Sequence, residues 1–277
     1  MEIRMICMDL DGTALQADVR SFSPRLSRVL LEAHRRGVAV TPVTGRQFVL
    51  LPEPVRCHPA WEGLAVLCNG TEVRRLATGE VLAEKYMQPE SLLAVLDVAE
   101  KFSLSMELSS GGTLHLTREA LEREQRFGYA FHQTVLDTNG KCVPDLRAFC
   151  LESRKPVEKV NLLCVLPERK AEVERALGAL PFTWSWSSDS SIELTRRDAD
   201  KASGMLQVCA MLGIAPEQVL ALGDSGNDIS MLRSAGLGVA MGNAPEEVRA
   251  AARAVTGTNV DDGAAAAIER YVLQKMG

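Results

Sequence analysis

The chain has 277 residues, 46% of them hydrophobic, so it can bury one large core or two smaller ones. Its formal net charge of -5 and pI near 5.5 argue against a nucleic-acid partner. No apolar run approaches the ~20 residues of a membrane span, and the N-terminus runs directly into IRMICM without a secretory pattern, so we expect a cytosolic protein. The seven cysteines form no C-x-x-C pair and are typical of reduced core residues.

The first third of the chain alternates strands with a helix. A short β-rich run from Ile3 to Met8 is consistent with a strand buried on both faces. The segment SFSPRLSRVLLEAHRRG predicts a helix that Ser23 caps and Gly37 terminates. Two continuous apolar runs, residues 38–45 and 64–70, predict further strands. This order is typical of a parallel sheet that helices cover on both sides.

The middle of the chain has a different pattern from about Met87 onward. Predicted strands there include LSMEL, TLHLT, KVNLLCVLP and FTWSWS, with predicted helices over residues 89–101 and 168–177. Apolar and polar residues alternate in FTWSWS, which indicates a sheet with one solvated face. Such sheets are commonly antiparallel. We therefore expect an inserted α+β domain over residues 87–188.

The last third returns to alternating strands and helices after SIELT. The predicted elements are a helix near Asp200, a strand over 219–224, a helix from Asn227, the strand LGVAMGN, a helix opened by Pro245 and a last helix from Gly263 to Lys275. The fold class predicted is α/β, with a doubly wound parallel-sheet (Rossmann-like) core. This core would combine residues 1–86 with 189–277 and carry the inserted domain as a cap.

Polar side chains follow several predicted core strands at their carboxyl ends, where such sheets bind ligands. These clusters are Asp9 with Asp11, Thr44 with Gly45, Asn69, and Asp224 with Asp228. Like charges ~4 Å apart repel by roughly 4 kcal/mol in a protein site, so a cation is needed to hold them together. Mg2+ binds one or two carboxylates together with water and phosphate oxygens. For DLDG alone, a helix cap or a solvated turn is an equally good interpretation.

Four motifs together resemble those of the haloacid dehalogenase superfamily. They are DLDGT (9–13), VTGR (43–46), a lysine that opens a helix (Lys201), and GDSGNDISMLRSAGLGVAMGNAPEEV (223–248). The large insertion between the second and third motifs resembles the Cof-type branch (subfamily IIB). Members of that branch are mostly Mg2+-dependent phosphatases of small phosphorylated metabolites, such as sugar phosphates. The resemblance covers roughly half the chain or a little more.

The resemblance implies two catalytic carboxylates. Asp9 would be the nucleophile and would become a transient aspartyl phosphate. Asp11 would be the general acid that protonates the leaving alcohol and then the base that activates water. Identical residue types would thus take different roles because their environments differ.

The resemblance also implies a Mg2+ site. Its ligands would be the carboxylates of Asp9 and Asp224 and the main-chain carbonyl of Asp11. Ser225 and Asp228 would lie close by, with Asp228 reaching the ion through water.

A phosphate cradle is the third implied part, since phosphoryl transfer needs positioning and neutralisation of three oxygens. It would comprise the Thr44 hydroxyl, the amides of Leu10 and Gly45, the Lys201 ammonium and the Asn227 side chain. Taken alone, Lys201 is better interpreted as a solvated lysine at a helix start, and only the motif context favours a role. The roles of Arg46 and Asn243 stay open.

Other functions are less well supported by the sequence. GDSG suggests a serine hydrolase with Ser225 as nucleophile, but no histidine lies in a context that would pair with it. A phospho-acceptor switch and a dehalogenase are further alternatives. No dinucleotide-binding or P-loop motif is present. The substrate and the oligomeric state are not predicted.

Overall fold

The computed structural model describes residues 2–61, 63–129, 139–153 and 155–274. Its strands, in chain order, are β1 (Met5–Met8), β2 (Ala39–Pro42), β3 (Leu64–Leu67), β4 (Glu72–Arg75), β5 (Val81–Glu84), β6 (Ser105–Ser110), β7 (Thr113–Leu116), β8 (Gly140–Cys142), β9 (Val157–Leu163), β10 (Phe182–Ser188), β11 (Ser191–Arg196), β12 (Val219–Gly223), β13 (Leu237–Ala240) and β14 (Ala254–Val255). Its helices are α1 (Pro24–Arg35), α2 (Glu53–Arg56), α3 (Leu93–Phe102), α4 (Arg118–Phe127), α5 (Leu146–Glu152), α6 (Lys170–Gly178), α7 (Lys201–Leu212), α8 (Ile229–Ser234), α9 (Glu246–Ala251) and α10 (Gly263–Ile268).

The chain divides into two compact units. Unit 1 contains residues 1–46, 51–84 and 200–277, and unit 2 contains residues 47–50 and 85–199. These bounds differ from the domains predicted from the sequence, since β11 pairs with β10 and β9 in the sheet of unit 2. That the inserted domain serves as a cap stays a prediction.

A parallel sheet forms the centre of unit 1. Its strand order is β14-β13-β12-β1-β2, and each neighbouring pair runs parallel. Every residue of β1 is buried, as a strand covered on both faces requires. This confirms the predicted α/β class with a parallel-sheet core.

One parallel bridge, Val43 to Val66, links the end of β2 to β3. From there the chain continues as an antiparallel sheet of β3, β4 and β5. The sequence analysis missed β4 and β5. The reason is the polar sequence of β4, in which Glu72 is buried and pairs with Arg74 at 2.6 Å.

Helix α1 shows how local sequence sets an element of unit 1. The Ser23 hydroxyl accepts a hydrogen bond from the Leu26 amide at 2.9 Å, which satisfies one of the first amides of the helix. Its buried side chains are Leu26, Val29, Leu30 and Ala33, which lie on one face. The predicted cap and helix are confirmed.

Unit 2 is built on a sheet of strand order β10-β11-β9-β6-β7-β8, antiparallel except for the pair β7 and β8. Its apolar face packs against α3, α5 and α6, and Trp184 and Trp186 border that core. The apolar residues that alternate in FTWSWS therefore pack against the core, as predicted, but are only partly buried. Across the opposite face, Glu107, Asn161 and Glu193 occupy paired positions on β6, β9 and β11.

One sequence prediction falls partly outside the described chain. The last helix is predicted to reach Lys275, which lies outside the described residues. The described part of this helix comprises α10 and a π-helical turn, Glu269–Leu273. Within the described ranges, no helix is both long enough and apolar enough to cross a membrane.

Candidate active site

Two adjacent parallel strands bring the acidic motifs together. Met8 on β1 pairs with Leu222 on β12, and the amide of Asp9 donates to the carbonyl of Leu222 at 3.0 Å. Asp224 is the first residue after β12. Both carboxylates are therefore placed by the sheet itself, at the carboxyl edge where ligands bind in such folds.

Lys201 lies at the centre of this cluster. Its Nζ donates to Oδ1 of Asp9 at 2.7 Å and to Oδ1 of Asp228 at 2.6 Å. Only 1% of the Lys201 side chain is exposed. Helix α7 fixes its position, because the Asp200 carboxylate caps the helix by accepting from the amide of Ser203 at 2.7 Å. The sequence pattern alone favoured a solvated lysine, and the structure shows a buried one.

The site holds unbalanced negative charge. Burial raises the pKa of Asp9 well above its ordinary value, and the carboxylates of Asp228 and Asp224 add to this rise while Lys201 opposes it. Burial likewise raises the pKa of Asp224 to about 7, with a contribution from Asp228. Burial by itself would lower the pKa of Lys201, but Asp228 and Asp9 outweigh it and raise that pKa far above its usual value. One ammonium group thus does not neutralise these acids.

Asp224 is oriented by neighbours on both of its oxygens. The Thr13 hydroxyl donates to Oδ1 at 2.8 Å, and Nδ2 of Asn243 lies 3.3 Å from Oδ2. The same Nδ2 donates to the carbonyl of Gly12 at 2.9 Å. Asn243 therefore connects the Asp224 carboxylate to the loop that follows β1.

Both carboxylate oxygens of Asp228 accept hydrogen bonds from neighbouring residues. Its Oδ2 accepts from the amides of Asp224 and Ser225 at 2.9 and 3.0 Å, while Oδ1 accepts from Lys201. It is completely buried. Asp228 thus shapes the loop after β12, which agrees with an indirect role towards a cation. The Ser225 hydroxyl donates to Oδ1 of Asn227 at 2.7 Å.

The predicted phosphate-binding side chains lie on converging loops of unit 1. The amide of Asn69 donates to the carbonyl of Thr44 at 3.1 Å, and Nδ2 of Asn227 lies 3.3 Å from Oδ1 of Asn69. Thr44 is almost fully buried, and Gly45 follows it directly. Asn69 thus bridges the loop after β2 and the loop after β12.

Asp11 differs from this buried cluster in its exposure and its partner. About half of its side chain is exposed, and both of its oxygens accept hydrogen bonds from Arg46. The intervening residue, Leu10, is completely buried in the core. The two aspartates of DLDGT therefore occupy different environments, as separate chemical roles require.

The acidic residues fit a hard divalent cation. Ligand oxygens of Asp9, Asp224 and Asp228 lie within 4.8 Å of one another. The raised pKa values of Asp9 and Asp224 mean that a further positive charge would favour the ionised form of both. Carboxylate oxygens are the ligands that Mg2+ prefers.

Four contributors were not assigned a role from the sequence. Thr13 belongs to DLDGT, and its position in that motif was the available signal. Asn69 was placed at a strand end but given no function. The roles of Arg46 and Asn243 were left open. Their hydrogen-bond partners lie far away in the chain, and no local sequence pattern reveals them.

The parallel core, the inserted unit and this acidic edge define a hydrolase of the haloacid dehalogenase-like type. The haloacid dehalogenase-like hydrolase family matches residues 6–268, and the chain belongs to that family. This confirms the resemblance drawn from the motifs and the prediction of an enzyme.

The chain is similar to other members of the family along almost its whole length. It is 27% identical to the 5-amino-6-(5-phospho-D-ribitylamino)uracil phosphatase YcsE of Bacillus subtilis, over 99% of this chain and 97% of that protein. It is 28% identical to the pyridoxal phosphate phosphatase YbhA of Escherichia coli, over 99% and 100%. A solved haloacid dehalogenase-like hydrolase from B. subtilis superposes with a TM-score of 0.81 at 25% identity, covering 98% of this chain and 100% of that one.

Proposed function

We propose that the protein is a Mg2+-dependent phosphatase that hydrolyses small phosphomonoesters through an aspartyl phosphate on Asp9. The observation that carries this proposal is the cluster of Asp9, Asp224 and Asp228 around the buried Lys201. The similar proteins that are named as phosphatases support the same reaction.

The first step transfers the phosphoryl group to the protein. A carboxylate oxygen of Asp9 attacks phosphorus, and the bond from phosphorus to the alcohol oxygen breaks. Asp11 gives its proton to that oxygen, so that a neutral alcohol leaves. Lys201 favours the ionised form of Asp9 and orients it through its 2.7 Å hydrogen bond.

The second step returns the protein to its starting state. Asp11, now ionised, takes a proton from a water molecule, and the resulting hydroxide attacks phosphorus. The bond from phosphorus to Asp9 breaks and releases inorganic phosphate. The exposure of Asp11 suits this role, since a group that exchanges protons twice in each cycle needs access to water.

The remaining predicted residues bind the charged groups. Thr44, the amides of Leu10 and Gly45, Lys201 and Asn227 hold the phosphate oxygens. Asp9, Asp224 and the carbonyl of Asp11 hold Mg2+, with Ser225 and Asp228 behind them. When bound, the ion supplies charge neutralisation for the phosphate oxygens and the carboxylates.

Small phosphorylated metabolites are the proposed substrates, with unit 2 as a cap that selects their alcohol part. The polar row of Glu107, Asn161 and Glu193 supports this role, because hydroxyl groups are recognised by side chains of this kind. A screen of phosphorylated metabolites, read out as released phosphate, identifies the substrate.

Replacing the nucleophile tests the reaction. We expect Asp9→Asn to abolish turnover while the fold stays intact, because an amide of the same shape cannot attack phosphorus. Released phosphate measures activity, and circular dichroism measures the fold. As a matched control, Asp18→Asn changes an exposed aspartate of the following loop and should retain full activity. Normal turnover by Asp9→Asn would refute the proposal.

Removing the cation tests the metal. We expect EDTA to silence phosphate release and added Mg2+ to restore it, since the acid cluster repels a dianionic phosphate unless a cation is bound. The Asp224→Asn variant should require more Mg2+ for half-maximal rate. Full activity in the presence of chelator would show that the cluster serves another purpose.

A further inference from the structure

Arg46 holds the Asp11 carboxylate at both oxygens. Its Nε donates to Oδ2 at 2.7 Å and its Nη2 donates to Oδ1 at 2.5 Å. Nη2 also donates to the carbonyl of Val19 at 2.9 Å. The side chain of Arg46 is 14% exposed, whereas that of Asp11 is 46% exposed. The guanidinium is thus the anchored partner, and the carboxylate is the accessible one.

This arrangement differs from an ordinary surface ion pair. Exposed pairs contribute little because two long side chains must be ordered in water. Here the arginine is already fixed by Val19, and its amide donates to the Thr44 hydroxyl at 3.2 Å, which places Arg46 directly beside the proposed phosphate cradle. A two-point contact between planar groups also sets the orientation of the carboxylate, which a single contact does not.

As the proposed general acid, Asp11 cannot keep both hydrogen bonds from Arg46 throughout turnover. In this contact both Asp11 oxygens accept hydrogen bonds, whereas the proposed acid step needs one of them to face the leaving group. A protonated Asp11 can keep one hydrogen bond from Nη2 to Oδ1, which stays a carbonyl oxygen, while the proton on Oδ2 faces the leaving group. Only the bond from Nε must be released, and Nη2 remains anchored on Val19.

We propose that Arg46 is a positioning residue for the acid step, which orients Asp11 through the hydrogen bond from Nη2 to Oδ1. The inference rests on the proposed function and extends it, since it gives a role to a residue that the motif resemblance left open. Arg46 acts through Asp11 and does not itself exchange a proton.

Substrates that differ in their leaving group separate this role from a structural one. An alkyl phosphate such as glycerol phosphate needs a proton on its leaving oxygen, whereas p-nitrophenyl phosphate releases a stable anion and needs little acid assistance. The value of kcat/KM reports on the steps up to formation of the aspartyl phosphate, in which the alcohol leaves. The ratio of kcat/KM for the alkyl phosphate to kcat/KM for the aryl phosphate, called the alkyl-to-aryl ratio, therefore measures the contribution of the acid step.

We expect Arg46→Met to lower this ratio at least about tenfold, a fraction of the 10²–10⁴ that general acids contribute. Asp11→Asn should lower it further, and adding Arg46→Met to Asp11→Asn should change it no more. Arg46→Lys, which retains one donor without the planar fork, should fall between the wild type and Arg46→Met. Arg56→Met, at an exposed arginine that ends α2, is the matched control and should leave the ratio unchanged.

Other outcomes overturn the inference. An equal loss for both substrates would mean that Arg46 supports the fold or binds phosphate. A gain for the alkyl phosphate would mean that the contact restrains Asp11. If wild-type protein released no phosphate from either substrate or from any phosphorylated metabolite of the screen, the proposed function itself would fail. Activity of Arg46→Met on p-nitrophenyl phosphate shows that the variant folds, and Arg46→Lys provides the comparison if it does not.

Discussion

At the scale of single residues, the site depends on one buried ammonium group, that of Lys201, among several carboxylates. Lys201 bonds Asp9 and Asp228, and both ion pairs are almost completely buried. Taking charges out of water is costly, and a buried pair compensates for this only while both partners are present. Loss of the lysine leaves two buried acids without their counter-ion.

We therefore expect Lys201→Met to lower the free energy of unfolding by about 3–5 kcal/mol and to abolish activity. Urea denaturation measures the first effect. Lys101→Met, which changes an exposed lysine of α3, should cost much less. Equal costs for the two variants would mean that the ion pairs of Lys201 contribute nothing beyond an exposed side chain.

Gly12 makes room for the Asp224 carboxylate. Its φ is +73°, and a Cβ at this position would lie 2.3 Å from Oδ2 of Asp224. Gly12→Ala should therefore displace Asp224 and raise the Mg2+ concentration for half-maximal rate. Gly37→Ala is the matched control, because Gly37 has φ +80° with no atom within 4 Å of a Cβ. Both should lose about 1 kcal/mol of stability through backbone strain, but only Gly12→Ala should change the response to Mg2+.

The sequence predicts the identity of these residues better than their environment. The motifs place Asp9 and Asp224 at strand ends, which suffices to predict a shared acidic edge. The burial of Lys201 and the contact from Arg46 to Asp11 depend on packing between distant segments, so spacing alone cannot give them. Asn69 illustrates the same limit, because its partner Asn227 lies 158 positions along the chain.

At the scale of elements, helix caps connect stability to the site. Asp200 and Ser203 form reciprocal hydrogen bonds at the start of α7, where Lys201 is the first helical residue. In unit 2, Asp145 caps α5 by accepting from the amides of Arg147 and Ala148. The two caps are chemically alike, but only one of them leads into the acid cluster.

We expect Asp200→Ala and Asp145→Ala each to cost about 1 kcal/mol of stability. Only Asp200→Ala should weaken inhibition by inorganic phosphate, by a few-fold, because it loosens the turn that carries Lys201. Denaturant unfolding and phosphate inhibition measured on both variants check this. An unchanged inhibition constant in Asp200→Ala would show that the ion pairs alone position Lys201.

The best-predicted elements have strong apolar periodicity, and two of the missed elements have polar sequences. β1, β2 and β12 are continuous apolar runs buried throughout, and the sequence predicts them within a few residues. β4 and α4 were not predicted. Helix α4 is rich in charged residues, with Ala120 and Glu124 its buried side chains, so its sequence lacks an apolar stripe.

At the scale of the whole molecule, the acid cluster couples stability to pH. Asp224 has a pKa of about 7 in the folded protein against an ordinary 3.8, and the pKa of Asp9 is raised as well. Without metal, the folded state therefore holds more protons than the unfolded state between those values. Its stability should fall as pH rises through that window.

Bound Mg2+ should reverse this trend, since its ligands must be ionised. We expect the gain in Tm from Mg2+ over EDTA to be small near about pH 5 and larger near about pH 8, because Asp224 loses its proton in between. Thermal melts at both pH values measure this gain. Asp224→Asn should show little gain at either pH, and a gain independent of pH in the wild type would contradict the assignment.

The pairing of β1 with β12 also dictates when the site can exist during biosynthesis. Thr13 and Asp224, which bond each other across this pair, are 211 positions apart in the chain. Contacts between such remote segments form late, because closing a long loop costs entropy before the contacts compensate for it. A nascent chain on the ribosome therefore has no acid cluster until β12 has emerged, so the proposed Mg2+ would stabilise the finished core and would not nucleate it.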